Sequence, residues 1–129
     1  IKEETMNAVL EANDGKGPDV IIEFLANENL QTDLQMIAKH GVIVIVGNRG
    51  EIEINPRLIM QKDCDVRGMV LFNVSAEEHQ ELIHGVAKLL ESEQLKPVVG
   101  YSYPLEQAGK AFDAVIKGEH NGKVVVKTQ

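Results

Sequence analysis

The alternation of apolar and polar positions divides this chain into short β-branched runs separated by stretches of helical period. Val42-Ile43-Val44-Ile45-Val46 is a continuous run closed by the turn Gly47-Asn48-Arg49-Gly50, and no other segment is so apolar on both alternating faces. A strand of that kind reads as the central strand of a parallel sheet. Asp19 to Leu25 is a second short, mostly apolar run and predicts another buried strand. Between the two, Leu30, Leu34, Ile37 and Ala38 recur at helical spacing from Asn29 to Lys39, with His40-Gly41 as a stop signal. Strand, helix and strand make a βαβ unit, whose right-handed crossover lays the strands parallel with their carboxyl-end turns on one edge.

The same reading extends in both directions. Met6, Val9 and Leu10, with the aliphatic edge of Thr5, mark one face of a helix within residues 1 to 13. Glu51 to Ile54 is a brief extended segment, after which Asn55 caps a helix with Pro56 at its first position. Asp65 to Phe72 predicts a third strand whose end, Met69 to Phe72, reaches the edge already occupied by Asn29 and Gly47. Ser75-Ala76-Glu77-Glu78 has capping-box spacing, and Leu82, Ile83, Val86, Leu89 and Leu90 predict the buried stripe of a long helix to Ser92. Leu95 to Tyr103 reads as extended, broken at Pro97 and Gly100. Pro104 then opens a helix with the face Leu105, Ala108, Phe112, Val115 and Ile116, Gly118 ends it, and Gly122 to Lys127 is a last strand. The expectation is an α/β fold with a parallel sheet of three βα units in residues 1–94 and a change of style from 95 to 129, where the chain returns to a different sheet.

Composition narrows the possible partners. With 129 residues the chain has one ordinary core, and no apolar run approaches the roughly 18 residues that span a bilayer. Twenty acidic against thirteen basic residues give a formal charge of −7, which repels phosphate backbones and disfavours nucleic acid as a main partner. A single cysteine, Cys64, excludes an internal disulfide or a multi-cysteine zinc site and fits a reducing, cytoplasmic setting. The chain opens at Ile1 with neither an initiator methionine nor a signal-peptide pattern, so it reads as a piece of something longer.

A dinucleotide site uses a Gly-x-Gly-x-x-Gly turn between a first strand and its helix. The nearest candidate, Gly15-Lys16-Gly17, has Val20 in place of the third glycine and precedes a strand, so it reads as a helix-to-strand loop. Val46 to Gly50 is a weak motif in a favourable place, because its glycines allow close backbone approach where open α/β sheets bind ligands. From pattern alone it reads equally as a cofactor contact or a structural turn, and Arg49 either meets a phosphate or sits in water. His40, His79, His84 and His120 show no metal spacing and read as surface or boundary residues. Cys64 reads as a half-buried neutral thiol before a modestly reactive one. No nucleophile triad or paired carboxylates are legible, Glu23 and Asp113 being explained by exposure or an ordinary hydrogen bond. No catalytic residue and no metal ligand is therefore assigned.

Three segments together carry a resemblance: Val20 to Leu30, Gly41 to Arg57 with its Ile52-Glu53-Ile54-Asn55-Pro56-Arg57 sequence, and Leu95 to Glu106. They closely resemble the C-terminal part of the zeta-crystallin branch, the NADPH-dependent quinone oxidoreductases of the zinc-independent medium-chain dehydrogenase/reductase group. The resemblance implies a partial Rossmann-type sheet and a final segment that rejoins the catalytic domain. It implies NADPH contacts at Asn29, Val46, Gly47, Asn48, Arg49, Met69, Val70 and Leu71, with Asn48 where the family usually has serine. A quinone substrate and a homo-oligomer paired through the edge strand Val66–Phe72 are also implied. So is an amino-terminal part, carrying the glycine-rich turn, without which this chain binds NADPH weakly or not at all and is inactive. The competing reading is a non-enzymatic, crystallin-like or dimerisation module. RNA binding is a weaker third, unsupported by the charge.

Overall fold

The run at Val42 forms the middle of a three-stranded parallel sheet in the computed structural model, which describes residues 3–118 and 120–128. The strands are β1 (Val20–Glu23), β2 (Val42–Ile45) and β3 (Asp65–Gly68), in the order β1-β2-β3. Ile21 lies opposite Ile43 and Glu23 opposite Ile45, while Ile43 lies opposite Val66. Helices α1 (Glu3–Ala12), α2 (Ala26–Met36) and α3 (Arg57–Lys62) precede and connect these strands.

One face of this sheet carries the core. Ile43, Leu34 and Ile37 are fully buried, joined by Ile21, Ala26, Leu30, Met36 and Cys64. Met6, Val9, Leu10, Leu58 and Ile59 pack at the margin of this cluster, so the α1 face is formed as expected except that Thr5 is exposed. The other face is different from expectation. β1 is not buried on both sides, since Val20 and Ile22 are 58% and 60% exposed, and it alternates in the manner of a one-sided strand.

Local bonding sets the element ends. α2 begins at Ala26 and stops at Met36, three residues before the expected Lys39. Ile37 turns extended at φ −52° and ψ 142°, and the Ala38 N–H donates to the Pro18 carbonyl at 3.0 Å, drawing the chain onto the loop before β1. Gly17 is required there, because a Cβ at this position would sit 1.7 Å from the Met36 carbonyl oxygen. Gly15-Lys16-Gly17 is thus the helix-to-strand loop its sequence suggested. Lys62 Nζ donates to the carbonyls of Gln35 and Ile37 at 3.1 and 2.5 Å, capping the negative end of α2. Asn55 Oδ1 accepts from the Arg57 N–H at 3.0 Å, which is the expected cap of α3.

β3 is shorter than the predicted Asp65–Phe72 strand. The Met69 N–H still donates to the Ile45 carbonyl at 2.9 Å, but β2 ends there, and Leu71–Asn73 coils into a 3-10 turn closed by Asn73 N–H on the Val70 carbonyl at 3.0 Å. A strand that outruns its partner has no ladder left to extend.

By compactness the chain divides between Val74 and Ser75, ahead of the fourth helix. In the second unit α4 (Ala76–Glu91) starts at a complete capping box: Ser75 Oγ accepts from the Glu78 N–H at 3.1 Å, and Glu78 Oε2 from the Ser75 N–H at 2.7 Å. Its apolar stripe is formed but not buried. Leu82, Ile83, Val86, Leu89 and Leu90 are all more than 40% exposed, because no described element of the second unit covers them. β4 (Val99–Pro104) and β5 (Lys123–Lys127) pair parallel in a separate two-stranded sheet, so the last strand joins its nearest predecessor. α5 (Ala108–Lys117), between them, turns a different face inward from the one its sequence suggested. Ala111 and Ala114 are buried, whereas Phe112 and Ile116 are 72% and 83% exposed. Small side chains let the helix lie close on β4 and β5, which leaves the large ones pointing away.

A core truncation tests this partition. Leu34→Ala removes a fully buried side chain and should lower unfolding stability by about 2–5 kcal/mol in urea titrations. Ile83→Ala on the exposed stripe should change it by no more than about 0.5 kcal/mol.

Candidate functional site: the carboxyl edge of the parallel sheet

The exits of the three strands are tied to one another by backbone groups. Both the Val46 and the Gly47 N–H donate to the Glu23 main-chain carbonyl, at 2.8 and 3.1 Å, and the Ala26 N–H returns a bond to the Gly47 carbonyl at 3.0 Å. The turn after β2 therefore lies against the turn from β1 into α2. Gly47 has no alternative there: a Cβ would fall 2.1 Å from the Phe24 carbonyl oxygen. Beyond it the Arg49 N–H donates to Asn27 Oδ1 at 2.9 Å, and Asn48 Nδ2 donates to the Gly50 carbonyl at 2.7 Å, which holds the turn in shape. Met69 joins the same edge through its bond to Ile45.

Each residue singled out from the sequence can now be placed. Asn29 stands in the first turn of α2, and its Nδ2 donates to Glu23 Oε1 at 3.2 Å. Val46 and Gly47 form the floor of the turn, and the side chains of Asn48 and Arg49 are exposed on it. Met69, Val70 and Leu71 follow β3 with about half of each surface exposed, at 47%, 53% and 51%. The edge thus combines a cation, two carboxamides and backbone turns with an apolar ledge. That donor set suits an anionic ligand with a flat ring. It forms one open wall; other concavities lie along α4 by Gly85, Lys88, Leu89 and Ser92, beside Pro104 and Lys127, and at Asn13, Gly17, Ala38 and Lys62.

Beneath this edge lies a feature the sequence reading missed. Glu23 is 3% exposed and Asp33 fully buried, and their carboxyls face each other in the core. Glu23 does take the hydrogen bonds expected of it, from the Leu25 N–H and Asn29 Nδ2, but it is buried and not exposed, and the expectation of no paired carboxylates is corrected. Both positions were legible in phase: Glu23 alternates with the inward Ile21, and Asp33 falls on the Leu30, Leu34, Ile37 stripe. Burial pushes the Asp33 carboxyl up to about 7, helped by the Glu23 carboxyl beside it and by that group's charge. Burial acts on Glu23 in the same direction, but the bonds from the Leu25 N–H and Asn29, together with the Asp33 carboxyl beside it, outweigh it and hold Glu23 below its usual range. Among the described residues no group of three His, Cys, Asp or Glu side chains could hold a metal ion. Cys64 is buried, more so than the half-buried thiol expected. His40, His79 and His84 are exposed, and His120 stacks on Tyr101 at 4.7 Å.

The fold is that of the Rossmann-like C-terminal domains of medium-chain dehydrogenases, and the chain belongs to the zinc-binding dehydrogenase family, whose model matches residues 1–126. Within it the similarity runs to quinone oxidoreductases of the medium-chain dehydrogenase/reductase type. The human quinone oxidoreductase is 42% identical over 112 residues, covering 86% of this chain and 34% of that protein. A quinone oxidoreductase of Pseudomonas syringae superposes with a TM-score of 0.79 at 26% identity, covering 96% of this chain and 40% of the other. A mycobacterial protein solved with NADPH shares the fold, with a TM-score of 0.79, 20% identity, and coverage of 95% and 40%. The chain spans about a third of the length of the curated relatives it matches, in their C-terminal part.

Two measurements probe the edge. Gly47→Ala should destabilise the chain by about 1–3 kcal/mol, since the methyl group displaces backbone; urea midpoints check it. The buried pair gives a pH signature. Asp33 titrates near 7 folded against 3.8 unfolded, so the folded state keeps a proton that the unfolded chain loses. This contribution to stability is complete below that interval and is lost as pH rises from 3.8 to about 7. The opposite shift of Glu23 acts only at and below the ordinary carboxylate range. Asp33→Asn should flatten the slope of stability against pH between 5 and 7.

Proposed function

We infer that this chain is the C-terminal part of an NADPH-dependent quinone oxidoreductase and supplies one wall of its nicotinamide site. The observation that carries the reading is the stapling of the β2 turn to the β1–α2 turn and the β3 exit, which gathers Asn29, Val46, Gly47, Asn48, Arg49 and Met69, with Val70 and Leu71 beyond. In this reading Arg49 pairs with an anionic oxygen of the cofactor, Asn29 and Asn48 offer carboxamide and backbone groups, and the Met69–Leu71 ledge supports the ring. When bound, NADPH supplies hydride to an electron-poor quinone; the protein's part is to hold and orient it. NADPH in preference to NADH and quinone as acceptor rest on the similarity to quinone oxidoreductases. Residues 1–94 then belong to the cofactor domain and 95–129 to the catalytic one, in a cytoplasmic enzyme working without zinc.

The β3 strand lies at the edge of its sheet, with one side unpaired among the described residues, and is the surface through which we expect a second copy to pair. A second reading, an assembly module without catalysis, draws on the exposed apolar residues of α4 and α5. NADPH titration of the full polypeptide that carries this chain separates the two. The first reading expects saturable binding that Arg49→Ala weakens roughly tenfold, the loss of one charge-assisted contact. No binding, or an unchanged affinity in Arg49→Ala, would contradict it.

A further inference from the structure

We propose that Glu23 and Asp33 hold one proton between them, and that through this buried pair Glu23 is a positioning residue which fixes the carboxamide of Asn29 at the cofactor edge. The geometry requires such a proton. Asp33 is fully buried and neither of its oxygens has a hydrogen-bond partner among the described residues, although its carboxyl lies against that of Glu23. Two carboxylates are acceptors only and cannot satisfy each other, while a carboxyl and a carboxylate can. Glu23 then keeps its charge, and its Oε1 accepts both the Leu25 N–H and Asn29 Nδ2, the latter at 3.2 Å. With its nitrogen held from below, the Asn29 carboxamide is fixed in orientation in the first turn of α2.

Among the described residues no other charged side chain of the surrounding elements is placed to take this role. On α1, Glu3, Glu4 and Glu11 are exposed; on α2, Glu28 is exposed and its Oε1 accepts from Asn27. On α3, Arg57 is exposed and Lys62 is bonded to the Gln35 and Ile37 carbonyls. β2 has no charged residue, and Arg67 on β3 pairs with Asp65 at 2.8 Å. The proton is therefore the natural bridge in the apolar core.

The role of Asn29 toward a cofactor rests on the proposed function, whereas the proton and the Asn29 bond do not, so the test has separate arms. In this chain, carbon-detected NMR of the Asp33 and Glu23 carboxyls against pH should show a single proton retained by the pair down to the ordinary carboxylate range. The Asn29 side-chain amide resonances should move with the same midpoint. Asp33→Asn keeps a donor toward Glu23 and should hold the Asn29 resonances at their low-pH positions across the titration; Glu23→Gln should displace them. Both carboxyls ionising independently in the wild-type chain, or Asn29 resonances indifferent to that event, would overturn the proposal without any variant having to fold. In the full polypeptide, Glu23→Gln should weaken NADPH roughly tenfold with the pH dependence of binding lost, while Asp33→Asn retains near wild-type affinity at pH 6. Absence of NADPH binding by the wild-type polypeptide defeats the cofactor reading, and the NMR arm still decides the proton.

Discussion

Two amide groups converge on one carbonyl oxygen, and most of what this chain can do depends on them. The N–H groups of Val46 and Gly47 both reach the main-chain carbonyl of Glu23, at the point where β1 and β2 stop pairing. Without that convergence the turn after β2 would swing free of α2, and Arg49 would have no fixed relation to Asn29. The contact in turn demands glycine at position 47, because the neighbouring Phe24 backbone leaves no room for a Cβ. Sheet pairing, turn chemistry and the shape of the edge are thus one constraint.

The same carbonyl belongs to a residue whose side chain lies in the core. A carboxylate there is costly unless bonded, and Glu23 is bonded by Leu25 and Asn29 on one side and faced by Asp33 on the other. An apolar pair would pack as well at less electrostatic cost, so stability alone does not account for these acids. Their position directly under the first turn of α2 gives them a use: they hold a polar side chain still at the place where a ligand would meet it.

The sheet was legible because its signals are local. A β-branched run bounded by glycine, a helix-period stripe and the capping box at Ser75 each specify a short stretch, and each appears where its residues place it. What was not legible depends on partners distant in sequence. The length of β3 is set by where β2 ends, the end of α2 by a carbonyl at Pro18, and the inward face of α5 by the close approach of β4 and β5 to its alanines. The stripes on α4 and α5 read as core and are exposed, since amphipathic spacing marks a face that packs without saying on what. At the site, the strand ends followed from topology, whereas Glu23 and Asp33 were passed over because acidic residues are rarely buried, although both were in the buried phase of their elements.

The central claim is that the three strand exits form one face toward a nicotinamide cofactor. An amide shift map of the labelled full polypeptide that carries this chain, with increasing NADPH, tests it most directly, because it registers binding residue by residue. The account predicts concerted perturbations confined to Asn29, Val46 to Gly50 and Met69 to Leu71. Perturbations confined to the second unit, or none in those three segments at saturating cofactor, would contradict it.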